Sequence, residues 1–211
     1  PLGVIGNSAY YLTALLGRAD AKVARHLDII REEVQVSNGI ISDLMGFVKG
    51  RDIQAAPVDP NAVVRATIER ALLPASIALR LDLAEGLSMV AMDQDRMEQV
   101  FLNLINNAVQ AMPDGGALTI ATRIHDGHVR FSFADTGGGI RPEDRERIFE
   151  PLFTTRAKGF GLGLSIAQQH VKAHGGEIVV TSVPDAGACF IVSLPLAPAG
   201  RRTSVPDGRH A

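Results

Sequence analysis

Apolar residues recur with a helical period through the first 48 residues of the chain. Steps of four and three separate the apolar positions in two runs, which the turn signal "GRAD" divides around Gly17. This spacing is the heptad seam of packed helices, and it predicts a helical hairpin. The seam positions are Leu2, Ile5, Ala9, Leu12 and Leu16, followed by Val23, Leu27, Ile30, Val34, Ser37, Ile41, Leu44 and Val48.

Two helices of this length cannot bury such stripes against each other alone. The pattern therefore predicts a homodimer through residues 1–48, in which two hairpins form a four-helix bundle. The alternative is a hairpin that docks onto its own domain. Gly50, Pro57 and Pro60 interrupt the period, and we expect residues 49–57 to be a linker.

A different pattern begins at residue 58. It predicts a helix near residues 61–72, a strand from Ile77, and a long helix capped by Asp93 or Asp95. "ALTIATRI" and "HVRFSFAD" flank the turn signal Asp126-Gly127, and "GEIVVTSV" and "ACFIVSLPL" form a second hairpin around residues 185–187. The predicted class is α+β: a helical hairpin, then an α/β sandwich over residues 58–196 whose mixed sheet is covered on one face by helices. Residues 197–211 are expected to be a flexible tail.

Composition narrows the function classes. The chain has 211 residues, a formal net charge of −2 and one cysteine, Cys189. The charge balance, without Lys/Arg runs, argues against a nucleic-acid partner, and a single cysteine excludes a disulfide framework and a multi-cysteine metal site. No segment approaches the roughly 20 apolar residues of a membrane span. The first residue is Pro rather than Met, so we expect a piece of a longer protein.

The long helix has an apolar face and an uncharged amide face. The apolar positions are Met97, Val100, Phe101, Leu104, Ile105, Ala108 and Met112, and the amides are Gln99, Asn103, Asn106, Asn107 and Gln110. A solvated helix surface usually carries Lys and Glu, so an amide face suits a cleft. Asn103 and Asn107, one turn apart, are able to present oxygens to Mg²⁺ beside phosphates. The alternative is an ordinary amide-rich surface.

Two glycine-rich stretches indicate a bound nucleotide. In "FADTGGGI", Asp135 ends a strand, where its carboxylate can accept a hydrogen bond from an adenine amino group. "TTRAKGFGLGLSIAQQH" lacks the Gly-Lys pair of a P-loop and the glycine spacing of a dinucleotide fingerprint. A flexible loop with Arg156 and Lys158 that runs into a helix N-terminus still suits phosphate binding. The alternative at both stretches is a plain turn.

Taken in order, these segments resemble the ATP-binding domain of bacterial sensor histidine kinases. This Bergerat-type fold is shared with gyrase, mismatch-repair and heat-shock-chaperone ATPases. "NLINNA" resembles the family's N box, "DTGGGI" its G1 box, "IFEPLFTT" its F box and "GFGLGLSIAQQHVKAHGGEI" its G2 box. The match spans Val58 to Leu196. The resemblance implies that the loop from Phe153 to Phe160 is a mobile lid, and its shortness is similar to the nitrogen-regulation and oxygen-sensor branches of the family.

The resemblance implies a role for each matching residue. Asn107 would coordinate Mg²⁺, Asn103 would assist around the phosphates, Asp135 would bind adenine, and Lys158 or Arg156 would reach the phosphates. The catalytic residues implied are Asn103, Lys158 and Arg156. The remaining nucleotide-binding residues implied are Gly137, Gly139, Ile140, Phe149, Phe153, Thr154, Thr155, Gly159, Phe160, Gly161, Leu162, Gly163 and Leu164. The sequence departs from the family at Phe160 and Ala188, where Thr is common, and at Leu152, where an aromatic residue is usual.

The implied activity is transfer of the γ-phosphoryl group of ATP to a histidine and thence to an aspartate of a response regulator, in the cytoplasm. "PL" at the start resembles the end of the family's phosphoacceptor motif, so we expect the acceptor His, and any membrane tether, upstream, and a fragment unable to phosphorylate itself. One alternative is an ATPase, although those relatives carry a Glu base where this chain has Asn103. A second alternative is a non-catalytic dimerisation module. His170 and His174, one turn apart, are expected to satisfy a helix end rather than bind zinc.

Overall fold

The computed structural model describes residues 2–16, 22–31, 33–34, 37, 53–155 and 161–196. The chain divides into two compact units, one formed by residues 1–52 and 146–166, and the other by residues 53–145 and 167–211. The predicted seam positions beyond residue 37, most of the predicted linker and the predicted tail lie outside the described residues.

The described N-terminal residues of the first unit include the helices α1 (Leu2–Leu16) and α2 (residues 22–31). Ala9, Leu27 and Val34 are buried, and a Cβ atom added at Gly6 would lie 3.4 Å from Cγ1 of Val34. These contacts follow the predicted seam. Ile5 and Leu12 of the same seam remain 46% and 40% exposed. The hairpin therefore buries only part of its apolar stripe within one chain.

The second unit is built on a five-stranded sheet with the order β2-β4-β5-β7-β6. The strands are β2 (Ile77–Leu83), β4 (Gly116–His125), β5 (His128–Asp135), β6 (Glu177–Ser182) and β7 (Ala188–Pro195). β2 and β4 are parallel, and the other neighbours are antiparallel. The predicted mixed sheet is confirmed.

Both predicted hairpin turns are present in this sheet. Asp126 and Gly127 have φ angles of 48° and 72°, and they join β4 to β5 with His125 paired to His128. Positive φ at both central residues is the geometry that matches the twist of the flanking strands. The second turn contains Asp185 at φ 59° and joins β6 to β7.

A two-stranded sheet was not predicted. β1 (Ala56–Val58) pairs antiparallel with β3 (Val90–Met92), with Pro57 opposite Ala91. β1 includes the last two residues of the predicted linker, residues 56 and 57. Strands of three residues are too short to show an alternating pattern, so their pairing is not visible in the sequence.

The helices of this unit match the predicted ones. They are α3 (Pro60–Arg70), capped by Asp59, and α4 (Gln94–Ala111), capped by Asp93. α5 (Gly163–Ala173) begins in the G2 box. Among the described residues, no helix is long and apolar enough to cross a membrane.

The core lies between α4 and one face of the sheet. All seven predicted apolar residues of α4 are at most 4% exposed. The ring of Phe101 packs at 4.8 Å from Phe131 and 5.2 Å from Phe133, centroid to centroid, on β5. Residues on the other face of the sheet, such as Ser132 and Ile191, are only half-buried. Helices thus cover one face, as the α+β prediction requires.

Candidate functional site

The amide side chains of α4 lie along one strip of the helix. Gln99, Asn103 and Asn107 follow each other at steps of four residues, roughly 6 Å along the axis, and all three are half-buried. Asn106, on the neighbouring strip, is exposed. The two asparagines with predicted roles therefore share a face, with uncharged groups that carry both acceptor oxygens and N–H donors.

Asp135 is the last residue of β5 and is 7% exposed. Its Oδ1 atom accepts hydrogen bonds from the backbone N–H groups of Gly137, at 2.9 Å, and Ala188, at 3.3 Å. Two donors from separate segments fix the plane of the carboxylate. Burial raises the pKa of the neighbouring Cys189 thiol, and the charge of Asp135 raises it further. Cys189 is therefore a neutral thiol beside the site at physiological pH.

The glycine loop after Asp135 touches the end of α4. A Cβ atom on Gly137 would lie 2.5 Å from the carbonyl oxygen of Ala111, so no side chain fits there. Gly138 donates its N–H to the same carbonyl at 3.3 Å. Asn107 lies one turn before Ala111 on α4. The structure therefore brings the amide strip and the loop beside Asp135 to the same end of the sheet.

The other side of the loop is held by Ser182 at the end of β6. Its hydroxyl accepts the N–H of Ile140 at 2.8 Å and donates to the carbonyl of Gly187 at 2.8 Å. Gly139 has a φ of 68° and lies against the carbonyl of Val183. Sequence reasoning did not identify Ser182, because a serine at a strand end carries no distinguishing signal.

The F box belongs to the first unit and forms a compact turn. The guanidinium of Arg147 lies 4.3 Å from the ring centroid of Phe153 and pairs with Glu150 at 3.4 Å. The N–H of Phe153 donates to the carbonyl of Glu150 at 3.2 Å. Phe149 is half-buried, and Thr154 and Thr155 are exposed.

The described part of the G2 box contacts this turn through backbone atoms. The N–H of Leu152 donates to the carbonyl of Gly161 at 3.0 Å, and Gly161 has a φ of 65° with no room for a Cβ atom. Leu162 is buried, while Gly163 and Leu164 in the first turn of α5 are half-buried. The predicted residues Arg156, Lys158, Gly159 and Phe160 lie outside the described residues.

His174, directly after α5, behaves as a helix-end residue. Nδ1 of His174 lies 2.7 Å from the carbonyl oxygen of His170, one of the last carbonyls of the helix. Among the described residues, no group of three or more His, Cys, Asp and Glu side chains is suited to hold a metal ion. The expectation that these imidazoles serve the helix end is confirmed for His174.

A mixed sheet covered on one face by helices, with an amide-lined helix ending at a glycine loop, defines the class of Bergerat-type ATP-binding domains. The chain belongs to the family described as histidine kinase-, DNA gyrase B- and HSP90-like ATPases, whose model matches residues 92–198. This finding confirms the resemblance inferred from the four boxes.

The relatives are sensor kinases. The chain is 36% identical over 182 residues to the signal transduction histidine-protein kinase AtoS of Escherichia coli K12, covering 84% of this chain and 30% of AtoS. Full-length ShkA in complex with AMPPNP superposes with a TM-score of 0.73 at 28% identity, covering 95% of this chain and 46% of ShkA. The structure of ThkA in complex with the response regulator TrrA superposes with a TM-score of 0.69 at 26% identity, covering 95% of this chain and 59% of ThkA. The chain thus spans under a third of AtoS.

Proposed function

We propose that this chain is the kinase core of a sensor histidine kinase: it binds Mg-ATP and delivers the γ-phosphoryl group to a histidine, from which it passes to an aspartate of a response regulator. The observation that carries the proposal is the junction of Asn107, Ala111 and Gly137. It joins an uncharged amide strip to a loop beside a buried, oriented carboxylate.

Asp135 is proposed to bind the adenine base. Its carboxylate is already held by the N–H groups of Gly137 and Ala188, so its orientation does not have to be selected when the ligand arrives. A carboxylate accepts hydrogen bonds only, which suits the exocyclic amino group of adenine. Gly137, Gly139 and Ile140 are proposed to line the space for the flat ring.

Asn103 and Asn107 are proposed to lie beside the phosphates, with Asn107 as the protein ligand of Mg²⁺. The donor set fits this ion, because Mg²⁺ takes few protein oxygens when substrate phosphates and waters complete its shell. When bound, Mg²⁺ neutralises charge on the phosphate oxygens. Arg156, Lys158 and the residues from Thr154 to Leu164 are proposed to close over the triphosphate.

Asn103 favours phosphotransfer over hydrolysis. An amide cannot remove a proton from water, so this position supplies no general base for an ATPase reaction. Positioning and charge neutralisation are sufficient for a protein nucleophile to attack the γ-phosphorus. The acceptor imidazole is proposed to be supplied from outside these 211 residues.

The partners are proposed from the hairpin and from ThkA. Seam residues Ile5, Leu12 and Ile30 are more than a third exposed in one chain, which supports a homodimer through residues 1–48. ThkA was solved with a response regulator, and a receiver domain is the proposed partner here. We place the reaction in the cytoplasm, where ATP is available.

The nucleotide proposal is tested by binding of Mg-ATP to Asp135→Asn. Because Oδ1 accepts two backbone N–H groups, an amide at this position turns its NH₂ group toward the base, donor against donor. Affinity is expected to fall by about tenfold to a hundredfold, measured by calorimetry. Asp185→Asn is the matched control, since it removes the same charge from the exposed β6–β7 turn.

The outcomes separate the candidate functions. Two results together support the kinase. Mg-ATP binding is weakened in Asp135→Asn but not in Asp185→Asn, and the unmodified chain transfers label from γ-labelled ATP to a histidine-bearing hairpin added in trans. No Mg-ATP binding by the unmodified chain favours a non-catalytic module. Rapid phosphate release without an acceptor favours an ATPase, and absence of label transfer while ATP binds contradicts the kinase.

A further inference from the structure

A single imidazole joins the end of α5 to the beginning of α4. Nδ1 of His174 lies 2.7 Å from the carbonyl oxygen of His170, and its Nε2 lies 2.9 Å from the backbone nitrogen of Asp93. A carbonyl only accepts and a backbone N–H only donates. The ring therefore carries its proton on Nδ1 and a lone pair on Nε2, which is a neutral imidazole.

Asp93 connects this imidazole to two further segments. Its Oδ1 accepts the N–H of Arg96 at 3.3 Å and caps α4, while its Oδ2 accepts the N–H of Gln54, just before β1, at 3.1 Å. The Arg96 guanidinium lies 3.5 Å from the same carboxylate, and both side chains are largely shielded from solvent. Hydrogen bonds through Asp93 thus connect His174 to the start of α4 and to the segment just before β1.

His170, one turn before His174, lies in surroundings that favour a neutral ring. His170 is 5% exposed, and neither of its ring nitrogens has a hydrogen-bond partner among the described residues. Burial lowers the pKa of His170, the positive charge of Arg96 lowers it further, and the negative charge of Asp93 opposes them. The charged groups of α4 beside His170 are Asp93 and Arg96, and the segment before β1 contributes the backbone N–H of Gln54, which donates to Asp93.

We propose that His174 is a positioning residue for the nucleotide site: its ring forms a clasp, a pair of hydrogen bonds that joins the end of α5 to the start of α4, the helix that carries Asn103 and Asn107. Without the lone pair on Nε2, the N–H of Asp93 would be left unpaired beside side chains that are largely shielded from solvent. The effect on nucleotide rests on the proposed function, whereas the clasp itself does not.

Two substitutions of His174 each keep one of its two hydrogen bonds and remove the other. The amide of His174→Gln reaches the position of Nε2 and can accept from Asp93 without titrating. The amide of His174→Asn reaches only the position of Nδ1, so it keeps the bond to His170 and loses Asp93. His128→Asn, at the β4–β5 turn, is the matched control. All are made in the full 211-residue chain.

The direct readout is hydrogen exchange at the Asp93 amide, measured by NMR without nucleotide. In His174→Asn we expect this amide to exchange about tenfold faster, as loss of one shielded hydrogen bond implies, while His174→Gln and His128→Asn stay near the unmodified chain. Unchanged exchange at Asp93 in His174→Asn, or equal acceleration in both His174 variants, would overturn the clasp.

The second readout is affinity for Mg-AMPPNP at pH 7.5. His174→Asn is expected to bind about fivefold more weakly than the unmodified chain, whereas His174→Gln, which can still accept from Asp93, should restore most of the affinity. Equal affinities of the two His174 variants would contradict the positioning role. If the unmodified chain binds no nucleotide, the proposed function fails, and exchange at Asp93 alone decides whether the clasp exists.

Discussion

Helix α4 and the N-terminal hairpin show the same kind of apolar periodicity, but they bury their apolar faces to different extents. Every residue of the predicted α4 face is buried against α3 and the sheet. In the hairpin, Ala9, Leu27 and Val34 are buried, whereas Ile5, Leu12 and Ile30 keep more than a third of their surface exposed. A periodic pattern therefore predicts which residues form an apolar face, but it does not predict how much of that face is buried within one chain.

The difference has a physical cause. α4 lies on a five-stranded sheet, which offers a broad apolar surface from β4 and β5 to a single helix. α1 packs along a narrow seam, where Gly6 faces Val34, and two packed helices leave the far side of such a seam open. The sheet-based unit is thus expected to be stable within one chain, while the hairpin is expected to depend on a second copy.

The largest expected effect is the loss of a core ring in the sheet-based unit. Phe101→Ala removes a side chain that contacts the rings of Phe131 and Phe133, and it should cost about 3–5 kcal/mol of unfolding free energy. Urea denaturation followed through NMR signals of β5 measures it. Leu72→Ala is the control, since Leu72 is 97% exposed, and should change stability by no more than about 0.5 kcal/mol. Similar losses for both variants would contradict the described core.

A smaller effect is expected when a charge enters the open part of the hairpin seam. Leu12→Asp should weaken the proposed dimer by at least about tenfold in dissociation constant, because the carboxylate would be buried without a partner in the bundle. Analytical ultracentrifugation over a range of concentrations measures this change, and the urea midpoint of the β5 signals should stay constant.

Ala14→Asp provides the comparison for Leu12→Asp. It places the same charge two residues away, on an exposed position of α1 outside the seam. Equal dissociation constants for the two variants would show that the hairpin docks in some way other than the predicted bundle. A fall of the β5 midpoint in Leu12→Asp alone would instead support docking of the hairpin onto its own domain.

Most elements of the sheet-based unit follow from local patterns. The α4 face, the Asp93 cap and the Asp126-Gly127 turn each depend on residues close together in sequence, so periodicity and turn chemistry are sufficient to predict them. The amide strip with Asn103 and Asn107 is visible for the same reason.

The parts that the sequence does not reveal depend on distant residues. The bond between His174 and Asp93 joins positions 81 residues apart, and no local pattern indicates it. Ser182 supports Ile140 across 42 residues, and β1 pairs with β3 through only three residues in each strand. Such contacts are set by the packing of the whole unit, after the helices and strands are in place.

The smallest expected effect is a gain in the hairpin. Gly6 lies inside α1, where alanine is favoured by roughly 0.5–1 kcal/mol on helix propensity. The added methyl group in Gly6→Ala would sit 3.4 Å from Cγ1 of Val34, an ordinary contact distance, so it should also fill space in the seam. Amide exchange in α1, measured by NMR, should therefore be slower in Gly6→Ala than in the unmodified chain.

Gly3→Ala separates propensity from packing. A Cβ atom at Gly3 meets no heavy atom within 4 Å, so this variant gains helix propensity alone, and less of it near the helix start. If α1 packs against Val34 along the predicted seam, Gly6→Ala must slow amide exchange at Val34 as well as in α1, whereas Gly3→Ala must act on α1 only. Equal effects at Val34 from both variants would mean that Val34 does not face Gly6, and the contrast between the two regions would lose its structural basis.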